Sequence, residues 1–128
     1  MRHVEALDRL LEKARADPEI LAVMLFGSTA RDEQRPSSDV DVCLVLVPRP
    51  RGSTSLAEKR LEYLQTADLD VNIFQALPLY IRRRVLREGR VQYVRNEDAL
   101  YEVAYRTAQA YEDFKHLYQD YLERVACD

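Results

Sequence analysis

Glycine is scarce in this chain. Three occur in 128 residues, Gly27, Gly52 and Gly89. That count rules out a glycine-rich phosphate cradle, and no GxxxxGKS-type segment occurs, so a P-loop is excluded as well. Cysteine is equally sparse. Cys43 and Cys127 show no metal-ligand spacing, and Cys43, set in an apolar run, reads as a small core residue. No apolar stretch approaches the roughly 20 residues that a membrane helix needs. The first twenty residues, MRHVEALDRLLEKARADPEI, mix acids and bases where a signal peptide would carry an apolar centre. A basic excess is missing too: 19 lysines and arginines stand against 22 acids, for a net charge of -3. That balance argues against direct nucleic-acid binding, yet it leaves room for a small anion held by local donors or metal ions. A cytoplasmic protein away from the membrane is expected.

What is present suits one compact domain over residues 1–128, with 47% apolar and 32% charged residues. Val4, Leu7, Leu10, Leu11 and Ala14 recur at helical spacing over residues 2–16, and Asp17-Pro18 ends that helix. ILAVMLFG (20–27) reads as a buried strand closed by glycine, and DVDVCLVLV (39–47) as a second. PRPRGSTS (48–55) is loop by composition. Ser55 with Glu58 forms a capping box for a helix over LAEKRLEYLQTA. LDVNIF (69–74) is a third strand. Pro78 opens a helix running to about Glu88, which Gly89 is expected to close in the left-handed conformation; RVQYV is a short fourth strand. The last thirty residues contain neither glycine nor proline and read as one long helix. Leu100, Ala104, Thr107, Tyr111, Phe114, Tyr118, Tyr121 and Val125 make a seam along it. The order predicts an α/β (α+β) domain, a mixed sheet of about four strands flanked by helices.

The chemistry concentrates in LFGSTARDEQRPSSDVDVCLVLV, residues 25–47. Alternation along a strand puts Asp39 and Asp41 on one side, about 7 Å apart along the chain. Like charges that close repel, and a divalent cation removes the conflict, carboxylate oxygens being the ligands Mg²⁺ prefers. Asp70 begins the third strand. If that strand neighbours the second, three carboxylates converge at one end of the sheet, the arrangement used for in-line attack on phosphorus. Gly27 lets the backbone turn and a ligand approach main-chain N–H groups, Ser28 adds a hydroxyl, and STARDE can begin a short helix offering free donors to an anion. A lone DxD more often marks a turn, and a lone GS pair is weaker still. Their combination points to a metal-phosphate site.

The pattern GS-x10-DxD resembles the nucleotidyltransferase superfamily that includes DNA polymerase β and the aminoglycoside nucleotidyltransferases. In size and layout the chain is most similar to the minimal nucleotidyltransferases, the MNT proteins, from the leading helix through FGSTARDEQRPSSDVDV and LDVNIF to LPLYIRRRVLREGRVQY and the tyrosine-rich tail. The resemblance implies a polymerase β-like fold. It implies that Gly27, Ser28 and Arg31 hold a nucleotide triphosphate, although a salt bridge is an equal role for Arg31. It assigns Asp39, Asp41 and Asp70 to two Mg²⁺ ions and catalysis, with Asp70 helping to deprotonate the acceptor hydroxyl. Asp68 competes for that third place; Asp70 is preferred because Val71 follows it in the strand.

MNT proteins resemble the antitoxin half of a two-gene system whose partner is a HEPN-domain ribonuclease. The resemblance implies transfer of AMP from ATP to a tyrosine of that toxin. A chain this short leaves no room for an acceptor-binding domain, so a docking partner must deliver the acceptor. The helix over 98–126, with Tyr101, Tyr105, Tyr111, Tyr118 and Tyr121, is the candidate dock; a homodimer is a second way to cover it. Along its seam, Leu100, Ala104 and Phe114 are expected to pack on the sheet. Arg82, Arg83, Arg84 and Arg87 read as a solvated face, Arg49 and Arg51 lie in a loop within reach of a triphosphate, and His3 and His116 have no matching ligands. The alternatives are an MNT-like antitoxin acting by occlusion alone, or transfer to a small molecule of the aminoglycoside type.

Overall fold

A computed structural model describes residues 2–26, 41–48, 54–66 and 69–127. Four helices, four strands and one short 3-10 turn follow in the order α1 (Arg2–Ala16), β1 (Ile20–Phe26), β2 (Asp41–Leu46), α2 (Leu56–Thr66), β3 (Asp70–Ile73), the turn Phe74–Ala76, α3 (Leu79–Glu88), β4 (Arg90–Val94) and α4 (Glu97–Cys127). The strands form one mixed sheet in the order β3-β2-β1-β4. β1 runs antiparallel to both β2 and β4, and β2 runs parallel to β3 through the α2 crossover. The two apolar runs that lack clean alternation, β1 and β2, are the central strands. Covered on both faces, they have no solvent side to require polar residues.

Each face of the sheet carries its own core. On one side Leu10 and Ala14 of α1 and Tyr63 of α2 pack on Ile20, Val23, Val42, Leu44, Val71 and Ile73. On the other, Val85 of α3, with Leu100 and Val103 of α4, covers Leu21, Ala22, Met24, Cys43 and Val45. The shift of register between Ile20 and Ala22 explains why Leu21 and Ala22 share a face: one extra residue in a ladder breaks the period-two alternation.

Edges and helix ends are tied down by side chains. Ser55 caps α2, its Oγ accepting from the Glu58 N–H at 3.1 Å. Arg60 of α2 donates to the Val71 carbonyl at 2.8 Å, on the edge strand β3. Past the end of β3, the Gln75 amide takes the place of a strand residue: its Oε1 accepts from the Leu46 N–H at 3.2 Å and its Nε2 donates to the Leu46 carbonyl at 2.9 Å. Arg95 closes α1, with Nη2 donating to Arg15 O at 3.1 Å and Asp17 O at 2.9 Å, and Nε to Ile20 O at 3.0 Å. The Arg15 carbonyl lies in the last turn of α1, where the final carbonyls lack intrahelical partners, and a guanidinium suits the negative end of the helix dipole.

Three expectations need correction. Gly89 is extended rather than left-handed (φ -71°, ψ 156°), because the chain passes straight from α3 into β4 without reversing. The glycine is needed for space: a Cβ there would lie 2.4 Å from the Val85 carbonyl oxygen and 3.0 Å from Met24 Cε. The seam of α4 does not pack along its whole length. Leu100 and Ala104 are half-buried and Thr107 is buried, but Phe114 is 57% exposed, since a helix of 31 residues, roughly 46 Å long at 1.5 Å per residue, outreaches the strands beside it. The arginines of α3 are not uniformly solvated. Arg84 pairs with Glu88, but Arg83 lies over the Tyr111 ring at 4.4 Å, and Arg82 is half-buried with no hydrogen-bond partner for its Nε among the described residues.

Candidate active site

β2 and β3 are parallel neighbours, and their register pairs Asp41 with Asp70, Val42 with Val71 and Cys43 with Asn72. Paired residues on adjacent strands point to the same face, about 4.8 Å apart across the ladder. On β1, Phe26 lies opposite Asp41. Phe26, Asp41 and Asp70 therefore form one row across three strands, at the end where β1 finishes and β2 and β3 begin. Val42 and Val71, the next residues along, turn the other way into the α1–α2 core. That inward anchor fixes the opposite orientation of the two acids.

Burial grades along the same face. Asp70 is exposed and Asp41 half-buried, whereas Cys43, one pleat deeper, is fully buried. Burial pushes the Cys43 thiol up to about 12, so it remains protonated and inert beneath the carboxylates. The floor is apolar and the rim is acidic, as a cation site open to solvent requires. Among the described residues no three metal-ligating side chains converge; the pair brought together is Asp41 and Asp70. Two carboxylates on one face, with solvent on their outer side, fit Mg²⁺, which takes one or two carboxylates and fills its octahedron with water and phosphate oxygens. Gly27, Ser28, Arg31, Asp39 and Asp68, the STARDE segment, and Arg49 and Arg51 lie outside the described residues. In the sequence, Gly27 and Ser28 are the two residues after Phe26.

A profile of the polymerase beta nucleotidyltransferase family matches residues 8–98. The chain belongs to that family. Within this nucleotidyltransferase domain, the matched span runs from α1 into the start of α4 and contains Asp41, Asp70 and the segment joining β1 to β2. A Methanocaldococcus jannaschii protein, named as an inferred protein adenylyltransferase, is 33% identical over 72 residues, 56% of this chain and 54% of that one. The alignment thus spans about half the length of that relative. Among solved structures, a toxin–antitoxin complex with AMP-PNP contains a chain with TM-score 0.70 and 19% identity, covering 94% of this chain and 96% of that one. A tri-AMPylated Shewanella oneidensis HEPN toxin in complex with MNT antitoxin gives TM-score 0.65 and 17% identity over 98% of each chain. At such identities it is the fold that is shared, now including the long terminal helix.

A second cluster of ionisable groups sits at the opposite end of β1. Lys59 is 3% exposed and donates to Asp17 Oδ2 at 3.0 Å, while the Tyr63 hydroxyl donates to the same oxygen at 2.8 Å; Glu19 also pairs with Lys59. Burial alone would raise Asp17, but hydrogen bonds from Lys59, the Glu19 N–H and Tyr63 outweigh it and hold the carboxyl below its ordinary value. Burial likewise works against a charged Lys59, and its acidic partners overcome that and raise its pKa. Tyr63 is pushed up, chiefly by burial. Lys59 is spent on Asp17 and Glu19, and the Tyr63 proton on Asp17, so the cluster is a clamp that ties α2 to the turn between α1 and β1. Nothing in the sequence singled it out: Asp17 and Lys59 are far apart in the chain, and a lysine on a helix normally reads as solvated.

Proposed function

We propose that this nucleotidyltransferase domain is a Mg²⁺-dependent protein adenylyltransferase and the antitoxin of a HEPN-type ribonuclease, transferring AMP from ATP to a toxin tyrosine. The observation that carries the reading is the register that sets Phe26, Asp41 and Asp70 in one row at the strand ends. Family membership supports nucleotidyl transfer. The name of the methanogen relative supports a protein acceptor, and the AMPylated toxin bound by its antitoxin supports the identity of that acceptor.

In this reading Asp39, Asp41 and Asp70 would hold two Mg²⁺ ions, which when bound would neutralise the triphosphate and the charge that develops during transfer. Gly27 main-chain N–H, Ser28 hydroxyl and Arg31 hold the phosphates. The acceptor tyrosine oxygen attacks the α-phosphorus; an O–P bond forms there, the bond to the bridging oxygen of the β-phosphate breaks, and pyrophosphate leaves. Asp70, the most exposed acid of the row, receives the hydroxyl proton and passes it to solvent. Positioning and charge neutralisation supply most of the rate, which is why so small a domain suffices.

Intact-mass measurement of the HEPN-type partner after incubation with ATP, Mg²⁺ and this chain tests the proposal. The partner is expected to gain whole AMP units with the native chain and none with Asp39→Asn/Asp41→Asn. Neutralisation by that double variant at undiminished strength would replace catalysis with occlusion.

A further inference from the structure

Beyond Tyr111, residues 112–126 of α4 are all exposed. Yet Phe114, Leu117, Tyr118, Tyr121, Leu122 and Val125 expose between 47% and 69% of their surface and are not scattered. At about 100° per residue they occupy one band roughly 140° wide. Ala99, Leu100, Val103, Thr107 and Tyr111 occupy the same band in the first half of the helix. There it is covered by two elements together, α3 and the sheet at β1. A two-helix seam needs only about two positions in seven, whereas the band beyond Tyr111 uses four of seven, the width for a face packed by more than one neighbour. The Phe114 and Tyr118 rings lie nearly parallel, 6.2 Å apart, in the open.

We propose that the half of α4 beyond Tyr111 is the docking surface for the partner toxin, seated in a groove between two elements of that protein. The proposal rests on the antitoxin reading above and names its interface. Six side chains of this size, about half exposed or more, offer on the order of 600 Å², most of the roughly 800 Å² per side of a standard interface. The band is edged by Lys115 on one flank and by Arg124, with Asp113 and Asp120 beside it, on the other, while Glu112 and Glu123 lie on the back of the helix. A groove with an acidic rim facing Lys115 and a basic rim facing Asp113 and Asp120 complements that pattern, and the antitoxin reading supplies the partner that carries it.

The test measures binding of a HEPN-type partner, together with the mass of the chain alone in solution. The variant is Leu117→Glu/Leu122→Glu, two exposed positions where glutamate keeps helix propensity; an unchanged circular-dichroism spectrum confirms its fold. The expected result is a monomeric native chain that binds the partner, and at least about a 100-fold weaker Kd for the variant. Equal affinity of variant and native chain overturns this surface and leaves the antitoxin reading standing. A native dimer dissolved by the variant overturns it in favour of self-association. Absence of binding by the native chain overturns the antitoxin reading itself.

Discussion

The facing of Asp70 was legible from its neighbours. Two acids precede or open the third strand, and the choice of Asp70 over Asp68 follows from the apolar Val71 beside it. Val71 is buried, so Asp70 must face the opposite side, where the register sets it beside Asp41. Asp17 shows the converse. Its sequence context says only that a helix ends, because the partners that matter, Lys59 and Tyr63, arrive through the fold. Asp17→Ala leaves the buried Lys59 ammonium short of an acceptor and is expected to cost about 3 kcal/mol, a fall of roughly 10 °C in Tm. Thermal melts with and without the substitution measure it. The pH dependence is two-sided. Because the Asp17 pKa is lowered on folding, its contribution is complete above 3.8 and fades as pH falls through the lower folded value. Native and Asp17→Ala stabilities should therefore converge in acid. Lys59 is raised on folding, so its contribution is complete below 10.5 and fades as pH rises through the higher folded value.

At the scale of elements, local rules worked where the cause was local. The Ser55 cap, the proline before α3 and the period of α1 are set by adjacent residues, and each appears in the structure. Gly89 was read for the wrong property. A glycine after a helix ordinarily suggests a left-handed cap, whereas here the strand beside it demands the missing side chain. Gly89→Ala drives a methyl against the Val85 carbonyl and is expected to cost about 2–3 kcal/mol, seen as a lower urea midpoint with little change in the slope. Its backbone dihedrals are ordinary, so the loss comes from crowding alone. Where β3 stops after four residues, Gln75 supplies the next pair of hydrogen bonds; no period reveals that, since a glutamine in a turn has no sequence signature.

The whole molecule divides into a packed body and an overhanging helix. The sequence order of elements was readable, but the strand order β3-β2-β1-β4 was not: it depends on which apolar runs are buried on both faces, a property of the assembled layers. The α4 seam was visible as a pattern; that only its first half meets the body follows from helix length against strand length. Ending the chain after Tyr111 should therefore change folding free energy by less than about 1 kcal/mol, the range of surface changes, while removing the apolar band. Denaturant unfolding checks this.

The central claim is that acids 41 and 70, brought into register by parallel pairing, form one end of a transfer site. The most direct measurement is partner AMPylation by Asp70→Asn beside Asp68→Asn, each compared with the native chain by intact mass. A fall of at least about 100-fold in rate for Asp70→Asn, with Asp68→Asn close to native, is the result predicted. Undiminished transfer by Asp70→Asn, or loss confined to Asp68→Asn, contradicts the account.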